Sequence, residues 1–312
     1  MELYPLKVFQ MVATERSFSR AGEKLLRTQP AVSLAIQRLE AELEERLIDR
    51  SGKDLLLTDA GKIVLEFTRR FENLESQMMN ALAELRDKSA GQLIIGANES
   101  TTLYMIKYIE DFRRRYPRIK VRVRRSLSSK IPSQLLDGDL ELGLISYDPE
   151  DDRIISRVIF RDHLTFVVSP AHRLAGREDV SITDLGGETF IAHNVMSPYR
   201  QVVLREFTRH KVALNMDVEM PTVESIKILV QRNEGVAFLP KLCVEQELAS
   251  GTLKMVRVNE MVVNRDIRLV YPAKRALSHA AQAFLEVVAA EAIQSSERSS
   301  ERISGGLAPR SS

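Results

Sequence analysis

Apolar residues recur along this chain in three rhythms, and each rhythm predicts a different kind of element. Over the first 47 residues the rhythm is that of short amphipathic helices. Leu6, Phe9 and Val12-Ala13 form the inner stripe of a first helix, and Phe18, Ala21 and Leu25 that of a second. Val32, Ile36, Leu39, Leu43 and Leu47 form a third stripe. Only Leu26-Arg27-Thr28 separates the second helix from the third, which leaves room for a turn. Thr28 can cap the third helix, and Pro30 falls in its first turn, where a missing N–H is harmless. With the stripe removed, Gln29, Pro30, Ser33, Leu34, Gln37 and Arg38 remain on an outward face. Small and amide side chains at a helix N-terminus suit entry into a DNA major groove.

The second rhythm follows a short polar interruption. Residues 50–58 read as a β-wing, with a Gly-containing tip, Arg50 and Lys53 placed for phosphates, and a short apolar strand. Thr58 can cap a long helix running to about Lys88. Along it Phe67, Phe71, Leu74, Met78, Ala81 and Leu85 recur at spacings of 4, 3, 4, 3 and 4, a heptad seam. A helix of some 30 residues is roughly 45 Å long. Few other apolar positions exist to pack it elsewhere, so the seam predicts a dimer.

From Gln92 the third rhythm begins, short apolar runs alternating with amphipathic helices. Strands are expected at residues 93–96, 119–125, 140–145, 164–168, 190–192, 216–218, 236–239 and 267–271. Helices are expected at 103–115, 132–136, 202–207, 223–230 and 280–293. Such alternation implies parallel-type sheets covered by helices. A break near Arg161–Asp162 and a return near Arg265–Asp266 divide the segment into two lobes joined by two crossings. The expected division is 1–58, 59–91 and 92–293, with lobe I at 92–161 and 267–293 and lobe II at 162–266. Residues 294–312 are rich in Ser, Arg and Glu and should be disordered.

The first 61 residues resemble the helix-turn-helix of LysR-type transcriptional regulators. The family pattern runs Ser-Phe-Ser-x-Ala-Ala, Ser-Gln-Pro-Ala-Val-Ser, then Leu-Glu. This chain has Ser17-Phe18-Ser19-Arg20-Ala21-Gly22, Thr28-Gln29-Pro30-Ala31-Val32-Ser33 and Leu39-Glu40. Leu57-Thr58-Asp59-Ala60-Gly61 resembles the family's junction between wing and linker. Thr28 stands where Ser is usual and caps equally well. Gly22 stands where Ala is usual, at about 1 kcal/mol in a helix interior, and its bare backbone suits close packing. The resemblance implies an α/β effector domain of two lobes, periplasmic-binding-protein-like, preceded by an all-α winged helix-turn-helix and a long linker helix. It also implies a homotetramer built from two dimers, double-stranded DNA with an interrupted inverted repeat as target, and RNA polymerase as a further partner.

Composition changes this picture little. The chain has 312 residues, 44% of them hydrophobic, and a net charge of only +2. Charge is local: residues 16–38 hold Arg16, Arg20, Lys24, Arg27 and Arg38 against Glu23 alone, a net of +4. The N-terminus lacks a basic segment followed by an unbroken apolar core, and no run approaches the length of a membrane helix, which points to the cytoplasm. A single cysteine, Cys243, fits a reducing compartment and reads as a packed thiol. No phosphate-binding loop, dinucleotide fingerprint or catalytic motif occurs, and His163, His172, His193, His210 and His279 lack metal-ligand spacing. No catalytic residue, metal or cofactor is therefore expected. The basic run from Arg113 to Arg125 reads as a solvated or subunit-facing surface.

A ligand in a two-lobed α/β domain sits where strand ends face helix starts across the cleft. Four polar segments fall there: Asn98-Glu99-Ser100-Thr101-Thr102, Ser126 to Ser129, His193-Asn194 and Thr222-Val223-Glu224-Ser225. Hydroxyls and free N–H groups at helix starts suit an anion. Ser100, Thr101, Ser128, Asn194, Thr222 and Ser225 are the candidate effector residues. Glu99 and Glu224 point to an amine or hydroxyl on the ligand, or to a rim position. The candidate DNA residues are Arg27, Thr28, Gln29, Pro30, Ser33, Leu34, Arg38, Arg50 and Lys53. The expected function is a ligand-responsive transcriptional regulator; the alternative is an enzyme or solute-binding domain with an accessory helix-turn-helix.

Overall fold

A computed structural model describes residues 2–49, 55–86 and 91–304, with only the backbone described from 292 onwards. The chain folds as two compact units, residues 1–83 and the larger part of 84–312. The wing tip, with Arg50 and Lys53, lies outside the described residues.

The first unit contains α1 (Leu3–Glu15), α2 (Phe18–Leu25), α3 (Gln29–Leu43), β1 (Ile48–Asp49), β2 (Leu56–Leu57) and most of α4 (Asp59–Arg86). The three stripes meet as expected: Leu6, Phe9, Val12, Ala21, Val32, Ile36, Leu39 and Leu47 are buried together, with Leu43 at the margin. Side-chain caps fix where α2, α3 and α4 begin. Ser17 accepts from the Arg20 N–H at 3.3 Å, Thr28 from the Ala31 N–H at 3.4 Å and Thr58 from the Gly61 N–H at 2.9 Å. Pro30 sits in the first turn of α3. Leu26 ends α2 in a left-handed conformation, with φ at 54°. A Cβ at Gly22 would stand 2.8 Å from the Arg27 carbonyl oxygen, so the turn closes too tightly for a side chain there. β1 and β2 pair antiparallel, Ile48 opposite Leu57, as the base of the wing.

The second unit contains β3 (Gly91–Ala97), α5 (Glu99–Arg115), β4 (Ile119–Arg125), α6 (Ile131–Leu136), β5 (Leu142–Ile145), β6 (Ile154–Val168), β7 (Asp179–Val180) and β8 (Thr189–His193). It continues with α7 (Pro198–Arg209), β9 (Asn215–Met220), α8 (Val223–Gln231), β10 (Ala237–Pro240), α9 (Lys241–Ser250), β11 (Lys254–Val258), β12 (Asn264–Pro272) and α10 (His279–Ser304). In lobe I the sheet order is β4-β3-β5-β12-β6, with β3, β4 and β5 parallel. Tyr104, Met105, Tyr108 and Phe112 of α5 pack with Phe284 and Val287 of α10 in the core of this lobe. In lobe II, β10 and β11 flank the end of β6, and β8 pairs parallel with β9 around Phe166, Phe190 and Phe207.

The structure departs from the expected pattern at the crossing. No break occurs at Arg161–Asp162. β6 runs unbroken for 15 residues, pairing with β12 up to His163 and with β10 and β11 from Leu164. No Gly or Pro interrupts residues 154–168, so nothing ends the strand. The two lobes thus share one continuous strand. At the C-terminus, α10 continues to Ser304 rather than giving way to a disordered tail at 294. No helix breaker occurs before Gly305.

Candidate functional site

Among the described residues, two places are candidates for contact with a partner: one helix face in the first unit and one cavity in the second. On α3 the positions off the stripe face outward. Arg27, Thr28, Gln29, Pro30, Leu34 and Arg38 are exposed and Ser33 is half-buried. Leu34 is 47% exposed, an apolar group without a core to join. The basic patch is narrower than the sequence count suggests. Glu15, just outside the counted window, pairs with Lys24 at 2.6 Å, and Arg20 donates to its backbone carbonyl. Arg27 and Arg38 flank the outward face of α3. On α4, Phe67, Phe71, Leu74, Met78 and Leu85 are exposed, so the heptad seam is an apolar stripe along one side of the helix.

The cavity lies between the two lobes of the second unit, with a volume of about 750 Å³. Volumes of 300–1,000 Å³ are those of small-molecule sites. Lobe I contributes Asn98, Ser100 and Ser128, lobe II His193, Tyr199 and Phe238, and β12 contributes Arg265. The start of α5 is held by reciprocal bonds: the Thr101 N–H donates to Asn98 Oδ1 at 2.8 Å, and the Asn98 N–H to Thr101 Oγ1 at 3.0 Å. Asn98 Nδ2 donates to Ser128 Oγ at 2.7 Å, and Ser100 Oγ donates to Asn98 Oδ1 at 3.1 Å.

Of the six candidate effector residues, Ser100 and Ser128 line this cavity and the other four do not. Thr101 is fully buried, its hydroxyl engaged with the backbone of Asn98 and Leu144. Asn194 is exposed, and it is its neighbour His193 that faces the cavity. Thr222 and Ser225 cap α8 and bond to each other, their hydroxyl oxygens 2.7 Å apart. The N-terminus of α8 already holds an anion: Glu99 Oε1 accepts from the Val223 N–H at 3.0 Å. His193 Nε2 stands 3.6 Å from Glu99 Oε2, while its Nδ1 accepts from the Val195 N–H. Glu99 thus links the lobes through Oε1 while also lining the cavity, with Oε2 buried and without a hydrogen-bond donor, and Glu224 pairs with Lys227 at 2.8 Å.

Sequence reasoning missed Arg265. It is 3% exposed and sits opposite Asp162 in register, with Nη1 and Oδ2 3.8 Å apart. Its guanidinium carbon lies 4.9 Å from the Tyr199 ring centroid. The Asp162 carboxylate takes a hydrogen bond from the Tyr104 hydroxyl, whose pKa is raised by burial and then by that bond. A signal was present: Arg265 shares the inward face of β12 with Ile267 and Leu269, where a charge is out of place. Tyr199, also missed, donates to the Ser146 carbonyl across the cleft, and burial raises its pKa.

Burial pushes the Cys243 thiol up to about 12, with Arg265 as the opposing influence, so it stays protonated at neutral pH. A packed thiol, as expected, is what this describes. Among the described residues no group of His, Cys, Asp and Glu could hold a metal ion, and no helix is long and apolar enough to cross a membrane.

Comparison with known proteins matches both units. A family model for the LysR substrate binding domain matches residues 86–292, and one for the bacterial regulatory helix-turn-helix of the lysR family matches residues 3–62. A protein of Cyanophora paradoxa named probable RuBisCO transcriptional regulator is 31% identical over 293 residues, covering 92% of this chain and 90% of that protein. The crystal structure of CbnR, a LysR family transcriptional regulator, aligns with a TM-score of 0.74 at 18% identity, over 94% of this chain and 99% of that one. The regulatory domain of CcmR from Synechocystis PCC6803, solved in complex with 2-PG, aligns with a TM-score of 0.59 at 23% identity, over 64% of this chain and 97% of that one.

Proposed function

Because the chain belongs to the LysR family of DNA-binding transcriptional regulators, we propose that α3 reads DNA, α4 pairs subunits and the inter-lobe cavity senses a small anionic metabolite. In this reading Gln29 hydrogen-bonds a base edge, Ser33 meets a base or phosphate, and Leu34 touches a thymine methyl. Thr28 and Pro30 set the helix start against the duplex. Arg27 and Arg38, with Arg50 and Lys53 on the wing, contact phosphates. The domain division is 1–58, 59–91 and 92–293.

The exposed seam on α4 joins two chains, so two reading helices meet an interrupted inverted repeat with half-sites about one helical turn or a multiple apart. Two such dimers form a tetramer that acts on RNA polymerase in the cytoplasm. The observation that carries the sensing role is the cavity: ligand-sized, walled by both lobes, and bordered by Ser100, Ser128 and Arg265. An anion there gains charge-assisted bonds and the favourable end of the α5 dipole. The CcmR regulatory domain, similar in fold to this unit, was solved with a small molecule, 2-PG.

Fluorescence anisotropy on a labelled inverted-repeat duplex, at two salt concentrations and with a panel of small organic anions, tests this reading. Affinity should fall steeply with salt, and at least one anion should change it. A salt-independent signal, or binding that responds to no anion, overturns the corresponding half of the reading.

A further inference from the structure

We infer that Arg265 is the specificity-determining residue of the effector cavity, the group that takes the ligand's acidic head. The inference rests on the cavity being the effector site. A buried guanidinium normally has its donors satisfied, because an orphaned N–H forfeits the hydrogen bonds it made in water. Arg265 breaks that rule. Nη2 reaches Ser100 Oγ at 3.4 Å, while Nε and Nη1 have no hydrogen-bond acceptor. Its counter-charge does not use them either. Asp162 stands at ion-pair distance, 3.8 Å, and takes its hydrogen bond from Tyr104 instead. The pair thus balances charge and leaves Nε and Nη1 buried without an acceptor, while Nη2 lies beside the cavity-lining Ser100.

The ligand chemistry that fills this vacancy is a carboxylate or phosphoryl oxygen. Such a group would meet Arg265, the Ser100 hydroxyl and the start of α5 together, and Arg265 and Ser100 are 165 residues apart in the chain. Beyond that head the cavity wall turns apolar, with Leu164, Val203 and Phe238. The site therefore favours acids over neutral molecules of the same size, with Arg265 as the buried group that meets the acid.

The position also connects recognition to movement. Arg265 and Asp162 face each other where β6 leaves β12 for β10 and β11, on the two strands that join the lobes. An anion bound to Arg265 competes with Asp162 at that crossing. Its occupancy is felt where the lobes turn, which is the differential contact that a ligand-driven shift requires.

The test uses the full chain and three probes: inorganic phosphate, benzoate and 2-phosphoglycolate. Titration calorimetry should show at least one binding wild type. The charge-neutral pair Asp162→Asn, Arg265→Gln should weaken that probe at least ten-fold. Ala192→Phe, which fills the cavity from the lobe II side, separates the two readings. If Ala192→Phe abolishes binding and the neutral pair does not, the cavity stands and the role of Arg265 is overturned. If both variants bind as wild type does, the probe sits outside the cavity and both readings fall. Binding of none of the probes overturns the inference as well. Should the neutral pair fail to fold, a crystal structure of wild type with the bound probe decides. An anionic oxygen within hydrogen-bond distance of the Arg265 guanidinium is expected, and a probe that avoids Arg265 overturns the assignment.

Discussion

The starts of α3 and α8 look alike in the sequence and differ in what they offer. Each opens with a threonine cap and a polar first turn: Thr28-Gln29-Pro30 in one, Thr222-Val223-Glu224-Ser225 in the other. Each cap forms, with Thr28 accepting from Ala31 and Thr222 from Ser225. Around α3 the first-turn residues remain exposed. At α8 the Glu99 carboxylate from the other lobe already occupies the helix end. A cap marks where a helix begins. Whether its N–H groups remain available to a ligand depends on what the fold brings opposite them, and a local pattern does not contain that.

The largest effect should come from breaking the availability of α3 as a pair. Phe71→Asp with Leu74→Asp places charge in the exposed seam of α4 and separates the subunits. Losing the second reading helix forfeits the effective concentration that linkage provides, on the order of 100-fold or more in affinity for an inverted repeat. Sedimentation and anisotropy on the same sample check it. A double mutant that keeps wild-type stoichiometry and affinity removes the seam from the dimer.

Next comes the reading face itself. Gln29→Ala should cost about 1–3 kcal/mol at a site selected from random duplexes, the range of one good amide–base pair. Random DNA should be bound as before, since phosphate contacts are untouched. Equal losses on both duplexes would mean that Gln29 positions the helix without reading sequence.

These two regions also differ in how much of them was legible beforehand. The helix-turn-helix was readable because its determinants are local: stripes at helical spacing, Ser17, Thr28 and Thr58 as caps, and Pro30 in a first turn. The alternation of strands and helices in the second unit was readable for the same reason. The crossing was not, because an apolar run says where a strand is and not which two sheets it serves, as β6 does. Arg265 was invisible as a cavity residue because its neighbour Ser100 comes from a distant part of the chain. The inward face of β12 carried the one usable hint. The contact of Glu99 with the start of α8 was not legible either, because its sequence position fixes the helix it belongs to and leaves open which helix end its side chain reaches.

A smaller effect tests the tightness of the α2–α3 turn. Gly22→Ala should gain about 1 kcal/mol in helix propensity. The added Cβ meets the Arg27 carbonyl at 2.8 Å, and backbone cannot swing aside as a side chain would. Overpacking of this kind costs about 1–3 kcal/mol, so a net loss of roughly 1 kcal/mol is expected from denaturant unfolding of the first unit. A gain in stability would show that the turn relaxes, and that glycine is not required there.

The smallest expected effects return to the two helix starts facing the cleft. Thr222→Ala removes the acceptor of the Ser225 N–H at a residue that does not line the cavity, so it should cost about 1 kcal/mol of stability and leave effector affinity unchanged. Ser100→Ala removes a hydroxyl that lines the cavity beside Arg265. It should weaken the effector by about 1 kcal/mol, roughly five-fold, with little change in the melting temperature. Melting curves and effector titrations on both variants cross the two outcomes. If Thr222→Ala weakens the effector and Ser100→Ala does not, the anion lies at α8, and Glu99 must release that helix end when the ligand arrives.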